Sequence, residues 1–150
     1  PLIYSLLPSN ESHLAKLIEQ TKRLAKGGVT LLGLSFKSDT DDLRESPMVE
    51  VAQHLLGRGF ELSIYDPQLN LASLIGTNKR VIDEKMPHLA SLLTDDLATA
   101  LGREGLVIAA QKCVDIETLR PLITTEHTLL DVNDWPELRD LPGHYEGFCW

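Results

Sequence analysis

The chain has 150 residues, 43% hydrophobic and 24% charged, with a net charge of −8, enough for one ordinary domain with its own core. The acidic balance argues against nonspecific binding to nucleic acid or anionic membrane, both of which need an excess of cations, but it leaves room for a local cationic pocket. No apolar run nears the roughly 20 residues of a membrane span, and Cys113 and Cys149 make no disulfide framework and suit a reducing, cytoplasmic setting.

The first 26 residues read as a helix entered at "PSN", with Ser9 or Asn10 as cap. Leu14, Leu17, Ile18, Thr21, Leu24 and Ala25 fall on one stripe. "KGG" ends it, and "VTLLGL" follows as a strand buried on both faces. After a charged loop, Ser46 and Pro47 open a second helix with the apolar stripe Met48, Val51, Ala52, Leu55 and Leu56, stopped by "GRG". "FELSIYDP" is the second strand. Helices and loops fill residues 68–104: "LNLASLIG", then "NKRVIDEKM" broken by Pro87, then 95–101 behind a Thr/Asp cap. "GLVIAAQ" is a third strand, "DIETLRPLI" a short helix, "TLLDV" a fourth strand and "GHYEGFCW" a fifth, at the edge.

Strands alternating with helices imply parallel pairing and right-handed crossovers. The expected fold is a doubly wound, mainly parallel, Rossmann-like three-layer α/β sandwich, with strand order 3-2-1-4-5 or 2-1-3-4-5. The leading helix stands outside the alternation, either as a core-packing element or as a connector or oligomerisation element.

In such sheets ligands sit beyond the carboxyl ends of the strands. The loop "SFKSDTDDLRES" leaves the first strand at that end, and its roughly 12 residues exceed the usual two to six. Lys37 offers a mobile point charge and Arg44 a planar fork for paired oxygens, among Asp39, Asp41, Asp42 and Glu45. The plainer alternative is a solvated loop in which both cations pair with neighbouring acids. The loop is neither a dinucleotide fingerprint nor a P-loop, because the glycines are missing. An EF-hand fails at Leu43 and Arg44, where an oxygen ligand and a turn glycine are required; a magnesium site of Asp39, Asp41 and Asp42 is a remote option. Asp66, at the tip of the second strand, stands where a ribose hydroxyl is held in Rossmann domains or, more simply, where a "DP" turn needs an acceptor. The five histidines show no metal-ligand spacing, and no nucleophile motif surrounds Cys113.

At "GLSFKSDTDDLRESP" the chain resembles the UDP-glucose/GDP-mannose dehydrogenase family of nucleotide-sugar dehydrogenases. Gly33, Phe36, Lys37, Thr40, Asp42, Arg44, Glu45, Ser46 and Pro47 match the pattern that opens the family's C-terminal domain. The likeness continues through "YDP", and "NKRVIDEKMPHLASLL" and "EGFCW" are most similar to the GDP-mannose 6-dehydrogenase branch. The resemblance implies part of an NAD-dependent enzyme of polysaccharide biosynthesis. Such enzymes oxidise the primary alcohol of a GDP- or UDP-sugar to the uronic acid in two steps, through a thiohemiacetal on a cysteine.

By position, Lys37 and Phe36 would contact the nucleotide sugar and Arg44 would reach NAD, the acids holding the two cations apart. NAD would be bound mainly by an N-terminal domain of the same chain, which together with the catalytic cysteine lies upstream in the family. The expected division is 1–27 as the end of an interdomain or dimerisation helix and 28–150 as the nucleotide-sugar-binding domain. The implied assembly is a homodimer, without nucleic acid, membrane or metal, and this stretch alone should not turn over. Two departures bear on the substrate. "AAQKC" replaces a more polar turn, and Asn133 and Asp134 stand where UDP-glucose enzymes tend to present an arginine, for which Arg139 is the nearby candidate. Two other readings compete with the dehydrogenase: a stand-alone nucleotide or phosphate module, and a dimerisation scaffold.

Overall fold

The computed structural model describes residues 2–35, 42–44, 46–69, 76 and 78–148, with backbone alone for 2–10. Helix α1 (Leu2–Leu24) leads into β1 (Gly28–Leu32), α2 (Pro47–Gly57) and β2 (Glu61–Tyr65). Short helices at Lys79–Lys85, Leu89–Leu92 and Leu97–Leu101 precede β3 (Leu106–Ala109). A helix at Ile116–Leu119, β4 (Thr128–Asp131), a 3-10 turn at Pro136–Asp140 and β5 (His144–Gly147) complete it.

The sheet has the order β2-β1-β3-β4-β5, every pair parallel. This is the 2-1-3-4-5 alternative, and the Rossmann-like α/β sandwich is confirmed. Alternate residues of each inner strand feed opposite layers, as a two-faced parallel strand must. Leu31, Leu106, Ile108 and Leu130 join α1 and α2 on one side. Leu32, Val107, Ala109 and Leu129 meet Leu97, Leu101, Leu119 and Leu138 on the other.

The helix stripe resolves the position of α1. Leu17 is fully buried, Ile18, Thr21 and Ala25 nearly so, and all three apolar members belong to the core shared with α2. Gln20 Nε2 and Arg23 Nη2 donate to one oxygen of Glu146 on β5, at 3.2 and 3.1 Å. The helix therefore packs as a layer of the domain. Its start differs from expectation: the backbone is helical from Leu2, through "PSN". A missing N–H at Pro8 removes one bond from a 23-residue helix, and that does not end it. Its end follows the glycine signal, with Gly27 at φ 89. Pro47 occupies the first turn of α2, but the Ser46 hydroxyl does not cap the helix; it donates to Leu34 O at 2.5 Å. The predicted helix "LNLASLIG" falls mostly outside the described residues.

Candidate functional site

Order 2-1-3-4-5 places the topological switch between β1 and β3, since the chain leaves β1 toward β2 and later returns on its other side. The two loops at that point are stitched together. Ala110 N and Gln111 N both donate to Leu32 O at 3.0 Å, and Gln111 Nε2 donates to Ser35 O at 3.2 Å. Gln111 can lie this close only because residue 33 is glycine. Its φ is 91, and a Cβ there would sit 2.5 Å from Gln111 Cβ and Cγ.

Asp66 holds the other side. Its Oδ2 accepts from Leu34 N at 2.8 Å and from Ser35 N and Oγ at 3.0 Å, while Oδ1 accepts from Gln68 N at 3.0 Å. Only 5% exposed, it fastens the first loop to the turn after β2. The turn-acceptor reading of this residue is the one the hydrogen bonds support. Ser35, Asp66, Gln68, Gln111, Lys112 and Cys113 leave a small cleft of about 70 Å³ between them. Burial, then the negative charge of Asp66, pushes the Cys113 thiol up to about 12, so it stays protonated at neutral pH and is a poor nucleophile. Cys149 lies outside the described residues.

Of the predicted site residues, Phe36 and Lys37 lie outside the described residues, as do Asp39 and Asp41 of the remote magnesium option. Both flanks of their loop are placed. On the far flank Leu43 is buried at 1% exposure, and its N–H donates at 2.9 Å to Asn78 Oδ1, itself wholly buried. Arg44 is exposed and holds Asp42 with a fork: Nε to Oδ1 at 3.0 Å and Nη2 to Oδ2 at 3.1 Å. The Arg44 side-chain hydrogen bonds keep the Asp42 carboxyl below its usual range. For Arg44, pairing with a neighbouring acid is thus real. Such surface pairs contribute only about 0–1 kcal/mol, so an incoming oxyanion competes with Asp42 on modest terms.

A second cleft, of about 640 Å³, opens beyond β4 and β5. The buried Asp131 closes β4, its oxygens accepting from Asn133 N at 3.1 Å, Trp135 N at 2.7 Å and the Tyr145 hydroxyl at 2.6 Å. The Arg139 guanidinium carbon lies 4.9 Å from the centre of the Tyr145 ring. Burial first, then the bond to Asp131, raises the Tyr145 phenol's pKa, with Arg139 pulling the other way. Neither Asp131 nor Tyr145 carries a sequence motif. Only the recurrence of an aspartate at a strand tip, as at Asp66, could have marked the first.

An open parallel sheet with an anchored charged loop and a switch-point cleft at its carboxyl end defines a Rossmann-like ligand-binding domain. Residues 30–143 match the UDP-glucose/GDP-mannose dehydrogenase family, UDP binding domain, and the chain belongs to that family. It is 36% identical over its whole length to GDP-mannose 6-dehydrogenase of Pseudomonas putida, covering 34% of that protein, in its C-terminal part. A 41-residue stretch is 54% identical to UDP-glucose 6-dehydrogenase 1 of Glycine max, covering 27% of this chain and 8% of the relative. The crystal structure of GDP-mannose dehydrogenase from Pseudomonas aeruginosa superposes on the full chain with a TM-score of 0.76 at 35% identity, again over 34% of that protein. The chain thus spans about a third of the length of the dehydrogenases it matches.

Proposed function

We propose that this chain is the nucleotide-sugar-binding C-terminal domain of an NAD-dependent nucleotide-sugar 6-dehydrogenase, of GDP-mannose or UDP-glucose type. Residues 28–150 form the binding domain, and 1–27 are the end of the helix joining it to an N-terminal NAD-binding domain. The enzyme works as a cytoplasmic homodimer in polysaccharide biosynthesis. The observation that carries the reading is the charged loop at the ligand end of the sheet, inside the family match and anchored on both flanks by Asp66, Ser46 and Asn78.

In this reading the loop divides two anions between two cations. Lys37 presents its ammonium to the diphosphate of the sugar nucleotide, with Phe36 lining the same site. Arg44 turns its fork from Asp42 to NAD at the interdomain face. Its chemistry suits that role, because an exposed planar guanidinium paired with a surface carboxylate can be redirected to paired phosphate oxygens. When bound, NAD accepts the hydride from the sugar alcohol. The catalytic cysteine belongs to the preceding domain, so this domain's contribution is to bind, orient and close over the substrate.

In the complete enzyme, Lys37→Ala is expected to weaken nucleotide-sugar binding by about 1–3 kcal/mol, the scale of a charge-assisted hydrogen bond. Calorimetry with GDP- and UDP-sugars reads this directly, and an unchanged affinity refutes the assignment. Arg44→Ala is expected to weaken NAD more than the sugar nucleotide; the opposite order would exchange the two roles. A stand-alone phosphate module predicts no dependence on a preceding domain, and a scaffold predicts that neither substitution alters ligand affinity.

A further inference from the structure

The backbone beside Arg44 is pinned from a distance. Asn78 stands at the entrance of the helix Lys79–Lys85, where an asparagine ordinarily caps its own helix, yet its side chain makes no cap bond. Its Oδ1 accepts instead from Leu43 N at 2.9 Å, across 35 positions of sequence. Ser46, at the entrance of α2, behaves alike: it leaves its own helix uncapped, and its hydroxyl donates to Leu34 O. Two helix entrances thus serve one loop, Ser46 where the loop leaves β1 and Asn78 where it approaches α2.

Leu43 is the point of attachment. Its side chain belongs to the core, its N–H goes to Asn78, and its carbonyl accepts from Ser46 N at 3.2 Å. The residues on either side of it are locked to each other, because Arg44 N donates to Asp42 Oδ1 at 2.9 Å in addition to the guanidinium fork. Asp42, Leu43 and Arg44 therefore move as one unit. The helix that carries Asn78 is itself fixed to α2. Gln53 Nε2 donates to Lys85 O at 3.0 Å, Lys85 Nζ lies 3.1 Å from Glu50 Oε1, and Ile82 joins the core. Both Asn78 and Leu43 are buried, so removing the amide strands the Leu43 N–H, and the unit must shift to bring that group to water.

We propose that Asn78 is a positioning residue for cofactor recognition: by pinning Leu43 it sets where Arg44 stands, so that the guanidinium fork meets paired phosphate oxygens of NAD without rearrangement of the backbone. A planar two-point contact tolerates little displacement, which makes the pin matter to affinity as well as to stability. The proposal rests on the assignment of Arg44 to NAD made above, and adds to it a wholly buried residue that acts only through the backbone of Leu43.

The test is steady-state kinetics of the complete enzyme. Asn78→Ala is expected to raise the KM for NAD about five- to tenfold, within the range of coupling between neighbouring groups. Its kcat and its KM for the sugar nucleotide should change by less than about twofold. The decisive arm is a double-mutant cycle: in an Arg44→Ala background, Asn78→Ala should leave the KM for NAD where it was. Asn78→Ser, a milder truncation, carries the same cycle where Asn78→Ala does not fold. Val107→Ala, which trims the opposite core layer, controls for lost stability and should lower the melting temperature without raising the KM for NAD. Equal factors in the two backgrounds, an unchanged KM on truncation of Asn78, or an equal rise in Val107→Ala overturns the proposal. If Arg44→Ala alone leaves NAD binding intact, the assignment of Arg44 and this proposal fall together; if it weakens NAD while truncation of Asn78 does not, the proposal alone falls.

Discussion

Two strand tips use the same device to opposite ends. Asp66 after β2 and Asp131 at the end of β4 are both buried aspartates that gather loop donors. At Asp66 four donors come from two loops, and the result is a tight stitch with about 70 Å³ left beside it. At Asp131 the third donor is a phenol from the next strand, whose ring stands up as a wall and carries Arg139, and about 640 Å³ stays open. A carboxylate at a strand tip closes space when its partners are backbone and a small hydroxyl, and frames space when a partner is a large side chain.

The sharpest way to break this contrast is to remove each carboxylate. Asp66→Ala should cost about 2–4 kcal/mol, because it strands the buried N–H groups of Leu34 and Ser35. Asp131→Ala should cost less, about 1–3 kcal/mol, since Asn133 is only half-buried and the Tyr145 hydroxyl borders the open cleft. Urea denaturation of the two variants measures the difference, and equal losses would mean that the loops are not anchored as described.

Gly33→Ala tests how tightly the stitched side is packed. Left-handed backbone and the approach of Gln111 together should cost about 2 kcal/mol. The pair Gly33→Ala/Gln111→Gly should recover part of it; full additivity would show that the two positions do not touch.

Tyr145→Phe is the smallest perturbation, keeping the ring beside Arg139 and losing the phenol oxygen's contacts with Asp131 and Arg139, about 1 kcal/mol. It also carries a pH signature. The folded phenol's pKa is raised above 10.0, so the native state holds its proton longer than the unfolded chain. Its stabilisation is complete below that value and is lost as pH rises from there through the folded pKa. Wild type should therefore lose stability in this alkaline window more steeply than Tyr145→Phe, as denaturation midpoints across pH 9–12 would show.

The fold was legible because short apolar runs stand between glycine and proline punctuation. "VTLLGL" covers all of the first strand but Gly28, "FELSIYDP", "GLVIAAQ" and "TLLDV" each enclose the strand observed, and "GHYEGFCW" supplies the fifth. The strand order was not fixed by local pattern, since either side of β1 can accept β3. The beginning of α1 was misread because a capping signal is local, whereas a helix already running needs only its next turn. At the site, the loop's cations were visible as residue types in a loop of unusual length. The anchors were not. Asn78 and Gln111 act across 35 and 76 positions of sequence, and nothing in their neighbourhoods announces a partner so distant. Asp131, Arg139 and Tyr145 form a group only once β5 pairs beside β4.

The bond from Gln20 and Arg23 to Glu146 has a mechanical consequence. Tyr145 and Glu146 are successive residues of one edge strand, one facing the cleft and the other gripping α1. A shift of the helix is therefore felt at the outermost strand, which is paired on one side only, as well as at β1, which follows the helix after three residues. It arrives at β5 one residue away from the ring beside which Arg139 lies, so the helix acts as a handle on that rim.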